Sequence, residues 1–173
     1  MARLPYADEA RDAEVMAIAE RIRAERGGKV MNLYRMLLNS PPIAAGWLTF
    51  LTAVRQKAKL GGRARELAIL RIAVLNGAEY EFTQHVPHAR KAGMSDAEIA
   101  AVRDPAAAAL TGAADRAVIA YADAMTREIR VPDPVFAALR PHFDQQELVE
   151  LTATIGAYNM VSRFLEAMKI DHE

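Results

Sequence analysis

Residues 66–85 read ELAILRIAVLNGAEYEFTQH, and the fold turns on how this passage changes character at Asn76-Gly77. Ahead of that dipeptide, Leu67, Ile69, Leu70, Ile72, Val74 and Leu75 cover every direction around a helix, which predicts a helix over 63–76 enclosed on all sides. Behind it stand Glu79, Tyr80, Glu81, Gln84 and His85, a polar cluster that predicts a second helix over 79–91, stopped at Gly93. Gly77 either breaks the first helix or caps it.

Outward from this centre the chain keeps helical character. No long stretch alternates with period two, and Ala, Leu, Glu, Arg and Met dominate, so an all-α fold without a sheet is expected. Toward the N-terminus, Val15, Ile18, Ala19 and Ile22 form one apolar face of a helix over 8–26, which Gly27-Gly28 ends. A short helix follows over 31–38. Ser40 before Pro41 and Pro42 has the look of a cap with proline in the opening turn, starting a helix that carries Trp47, Leu48, Leu51 and Val54. Toward the C-terminus, Ser95 and Glu98 make a capping box for a short helix, and an alanine-rich connector with Pro105 spans 104–112. A helix over 114–129 turns Val118, Tyr121, Ala122 and Met125 inward. Asp133 caps a short helix, and Asp144 with Glu147 opens a last one reaching Met168.

Composition narrows the function. The 173 residues, 52% hydrophobic and 25% charged, suit one compact domain. Lys+Arg and Asp+Glu are equal at 22 each, so no basic field exists to hold nucleic acid. No apolar run approaches the roughly 20 residues that span a bilayer, and the N-terminus lacks the basic-then-apolar order of a secretion signal. No membrane association and a cytoplasmic location are expected. Cysteine is absent, which excludes disulfides, thiolate nucleophiles and cysteine-ligated metals.

The polar cluster can be read chemically or structurally. His85 follows Glu81 by four residues, so both project from one helical face, where a carboxylate can set the tautomer and basicity of an imidazole. Tyr80 points roughly 100–140° away from them and joins only if a neighbouring helix closes the site around it. Glu66 reaches His85 only if Gly77 turns the chain back. Against this, Glu66 in a first turn would complement the helix dipole beside Arg63, and Glu81 with His85 would serve as an exposed surface pair. Glu81, His85 and His88 have a spacing a metal could use, but no second ligand-bearing segment accompanies them, and no metal or other cofactor is expected. Arg71, inside the apolar helix, needs an acceptor, either a buried Glu or an anionic ligand.

The block from Glu66 to His85, the GMSDAEI turn of 93–99 and IGAYNMVSRFLEAM of 155–168 together resemble the carboxymuconolactone decarboxylase family, in the alkyl hydroperoxidase D-like superfamily, over about residues 30–170. The resemblance implies a single-domain helical bundle over 1–173, with a family core over 30–170 and an N-terminal helical extension over 1–29. It also implies a homo-oligomer, trimer or hexamer, with sites near subunit contacts. The peroxidase branch of the superfamily carries a Glu, a Cys-x-x-Cys and a His. Glu66 stands at the glutamate position, His85 at the distal histidine, and Tyr80 where that branch has a histidine between its cysteines, while Ala78 and Glu81 fill the two cysteine positions. Neither can be oxidised and recycled, so thiol peroxidase activity is expected to be absent.

What the resemblance then implies is decarboxylase-like acid–base chemistry on a small anionic substrate, of the kind met in aromatic catabolism. His85 would transfer the proton, Glu81 or Glu66 would tune it, Tyr80 would donate a hydrogen bond, and Arg71 would anchor a carboxylate. Another acid–base activity on a small carbonyl compound, isomerase or hydrolase, and a non-enzymatic ligand-binding oligomer are the other readings of the same scaffold.

Overall fold

The computed structural model describes residues 1–104, 110 and 112–173, so most of the connector read over 104–112, Pro105 included, lies outside the described residues. Among the described residues there are nine α-helices and no strand. They fall into two compact units, Met1–Lys57 with Leu165–Glu173, and Ala58–Phe164.

The first unit contains α1 (Ala13–Glu25), α2 (Asn32–Leu37) and α3 (Pro41–Thr52), the last running on into a π-helical turn, Ala53–Lys57. The start of α1 lies five residues beyond the expected one, because the Asp12 carboxylate accepts from the Val15 N–H and sets the cap there. The face of Val15, Ile18, Ala19 and Ile22 is buried as its periodicity requires, and α1 packs on α3. Ser40 occupies the position before α3 in extended conformation without a side-chain cap, so the prolines alone mark that start.

The second unit is organised around α4 (Gly62–Asn76), which packs against both α5 (Glu79–Lys91) and α7 (Ala113–Arg127). Its residues from Glu66 to Ala73 are all buried, as expected for a helix without a polar face. Gly77 ends α4 at φ +67°, in the left-handed region where glycine has no steric cost, and its N–H closes onto Ala73 and Val74. The chain thus reverses within two residues and α5 returns along α4.

The Ser95–Glu98 capping box is present at the start of α6 (Asp96–Ala101), and Asp144 and Glu147 exchange the same reciprocal bonds at the start of α9 (Gln145–Met168). In α8 (Asp133–Ala137) the expected cap shifts by one: Pro132 precedes the helix and Asp133 is its first residue. The end of α7 also comes early, at Arg127, because Ile129 adopts φ +64° and leaves the helix.

Candidate active site

The reversal at Gly77 is what makes a site possible. It lays α5 against α4, so that Nδ1 of His85 comes within 2.7 Å of Oε2 of Glu66 across 19 residues of sequence. Both side chains are enclosed, with Glu66 exposed by 3% and His85 by 5%. Glu66 lies beyond the first turn of α4, so the helix-dipole reading does not apply to it. Arg63, the cation proposed to stand beside it, turns instead to Asp115 at 2.6 Å and to Glu98.

Electrostatics holds the Glu66 carboxyl in its ionised form. Burial pushes its pKa upward, but the hydrogen bond from His85, the charges of His85 and Arg65 and a smaller contribution from His88 together leave it below the ordinary glutamate value. The Arg65 Nε lies 3.3 Å from the other carboxylate oxygen, so the anion bridges a guanidinium and an imidazole. With Glu66 ionised, Nδ1 of His85 carries a proton and donates it to the carboxylate, leaving Nε2 as the nitrogen that gains and loses the exchangeable proton. The Tyr158 ring meets the imidazole edge-on, centroids 5.0 Å apart and planes at 90°, which fixes the ring orientation.

Glu81 is buried at 2% exposure, so it is not half of an exposed surface pair. Its two oxygens accept from the Ser162 hydroxyl at 3.0 and 3.1 Å. Tyr80, 5% exposed, is buried in the same first turn of α5. Of the two carboxylates, Glu66 is hydrogen-bonded to His85 at Nδ1. Among the described residues no group of three His, Asp or Glu gathers as a metal would need.

Arg71 is accounted for within the protein. Its Nε and Nη2 form a fork on the Asp123 carboxylate at 2.5 and 2.8 Å, and Nη1 donates to the Val102 carbonyl at 2.9 Å. The acceptor that a buried guanidinium demands is thus an aspartate of α7.

Tyr158 and Ser162 were not singled out in the sequence for a role beside the imidazole or Glu81, and His88 was read only as a metal ligand. Tyr158 and Ser162 sit four apart on α9 and so share a face, but nothing in their spacing says which helix that face meets. His88 is exposed on α5, and its ring centroid stands 5.5 Å from that of His85. Elsewhere in the second unit an open groove of about 960 Å³ runs along α8 and α9, lined by Phe136, Arg140, Phe143 and Val149 among others.

Comparison with known proteins bears on the family and the fold. Residues 41–124, from α3 into α7, match the sequence model of the carboxymuconolactone decarboxylase family. The uncharacterized protein YnjA of Escherichia coli strain K12 is 34% identical over 128 residues, 72% of this chain and 66% of its own length. A protein of unknown function from Agrobacterium tumefaciens superposes with TM-score 0.73 at 27% identity, over 78% of this chain and 93% of the other. An uncharacterized peroxidase-related protein from Silicibacter sp. TM1040 superposes with TM-score 0.83 at 18% identity, over 99% of this chain and 90% of the other, a likeness of fold alone.

Proposed function

The chain belongs to the carboxymuconolactone decarboxylase family, as a member without a cysteine pair, and from that premise we propose that it is a cofactor-free acid–base enzyme that decarboxylates a small carboxylated lactone. The observation that carries this reading is the enclosed Glu66–His85 pair, 2.7 Å apart, in a chain with no sulfur nucleophile. Loss of carbon dioxide sends an electron pair toward the lactone carbonyl, and a carbon must then be protonated. His85 is the proton donor, and Glu66 holds its tautomer and balances the imidazolium. Tyr80 is assigned the hydrogen bond to the developing oxyanion, and Glu81, held by Ser162, shapes the same turn of α5. Thiol-dependent peroxide reduction is excluded from the proposal, since Ala78 and Glu81 stand at the cysteine positions.

The test is a panel of muconolactone-type acids with carbon dioxide release followed directly. Release by the wild type that falls at least about a hundredfold in His85→Gln supports the assignment. No release from any member removes the decarboxylase and leaves only the family and the broader acid–base proposal.

A second reading, a ligand-binding protein without catalysis, draws on the α8–α9 groove, whose volume of about 960 Å³ lies at the top of the usual range for small-molecule sites. Binding of the same acids without turnover, unaffected by His85→Gln, would favour it. In either case a homo-oligomer is proposed, supported by Val149 and Met160 of α9, exposed by 68% and 39%, and light scattering tests it.

A further inference from the structure

Decarboxylation consumes a proton. The bond between the ring carbon and the carboxylate breaks, carbon dioxide leaves, the electron pair returns to carbon, and one proton is bound there for each turnover. On the reading above that proton comes from the imidazolium of His85, which is left neutral and must be recharged from water. Yet His85 and Glu66 are 5% and 3% exposed, and Nδ1 is held by the carboxylate, so recharging has to proceed at Nε2 from a group that does reach solvent.

Several ionisable groups of the described residues stand on the helices that form the site. From α4 come Glu66, which is its anchor, and Arg65, whose guanidinium donates to that same carboxylate. From α9 comes Tyr158, a phenol buried at 2% exposure. On α5 itself, Tyr80 and Glu81 are enclosed at 5% and 2%. His88 is different: it lies one turn further along α5, is exposed, and its ring centroid is 5.5 Å from that of His85 with the planes inclined at 51°. A centroid separation of that size has room for a proton to pass between facing ring nitrogens directly or through one bridging water, and imidazole is the side chain suited to both accepting and giving it near neutrality.

We propose that His88 is the relay through which protons pass between bulk water and the enclosed His85, an inference that rests on the acid–base reading of the site. Against the upward pull of burial, His85, Arg65 and then His88 help hold the Glu66 carboxyl in its ionised form. The relay role differs from that electrostatic one in requiring a proton that comes off and returns.

The experiment follows the His85 ring N–H in the full-length chain labelled with nitrogen-15 histidine, measuring its exchange with water by NMR in wild type, His88→Gln and His88→Arg. Exchange is expected to slow by roughly tenfold or more in both variants and to recover when free imidazole is added as a diffusible carrier. Arg preserves a positive charge but cannot relay, so normal exchange in that variant, or in His88→Gln, would overturn the proposal. Carbon dioxide release is scored separately. Relay-dependent exchange with no release from any acid supports His88 and counts against the decarboxylase, whereas release with exchange independent of His88 retains the decarboxylase and eliminates the relay.

Discussion

The coupling between Glu66 and His85 can be measured by a double-mutant cycle of Glu66→Gln, His85→Gln and the double variant, each unfolded in urea. Gln keeps the volume of Glu, so the first substitution removes charge without opening a cavity. The bond is buried on both sides, 2.7 Å long and charge-assisted, which puts the pairwise term at about 1.5–3 kcal/mol. For a chain of 173 residues, where about 1 kcal/mol moves the melting temperature by about 2–4 °C, this is a non-additivity of roughly 3–12 °C.

Its pH dependence has a definite sign. The Glu66 carboxyl is lowered in the folded protein, by the His85 bond and neighbouring charges acting against burial. Its stabilisation is therefore fully present above the unfolded carboxyl value of about 4.3 and disappears as pH falls through the lower folded value. Wild type should lose stability along that acid limb, and Glu66→Gln should lack this component of the loss. A coupling below about 0.5 kcal/mol at pH 7, or identical acid limbs in the two proteins, would refute the paired-site argument.

Other substitutions test the supports of the site. Arg71→Met should cost about 2–4 kcal/mol in urea denaturation, somewhat less than a fully enclosed pair because Asp123 is 25% exposed, and most of that loss should return in Arg71→Met with Asp123→Leu. Unchanged stability with a raised KM would support Arg71 as a substrate anchor. Ser162→Ala removes the hydroxyl that donates to Glu81, and a loss of about 1–3 kcal/mol by the same measurement is expected from the carboxylate left short of a donor. Gly77→Ala meets no atom within 4 Å of the new methyl, so its expected loss of about 1–2 kcal/mol comes from the φ of +67° alone; a variant as stable as wild type would show that this conformation carries no strain.

Much of the architecture was legible from residue order because its causes are local. The all-round apolar pattern of 63–76 requires an enclosed helix, Gly77 suits a left-handed cap, Ser95 with Glu98 satisfies the end of α6, and the lack of cysteine removes thiol chemistry wherever the chain folds. Where local expectations moved, a neighbouring group took precedence: Asp12 claimed the start of α1, and Ile129 left α7 before the expected end.

The partners of the site are another matter. Periodicity states which face of a helix is hidden but carries no record of what hides it. Glu66 and His85 meet across 19 positions, Arg71 finds Asp123 across 52, and Glu81 finds Ser162 across 81, and each junction exists only because packed helices bring distant side chains within hydrogen-bond reach. The sequence alone determined which residues could donate, accept or exchange a proton. Tertiary packing decided which of them met, because a hydrogen bond depends on separations of a few ångströms that spacing along the chain does not specify.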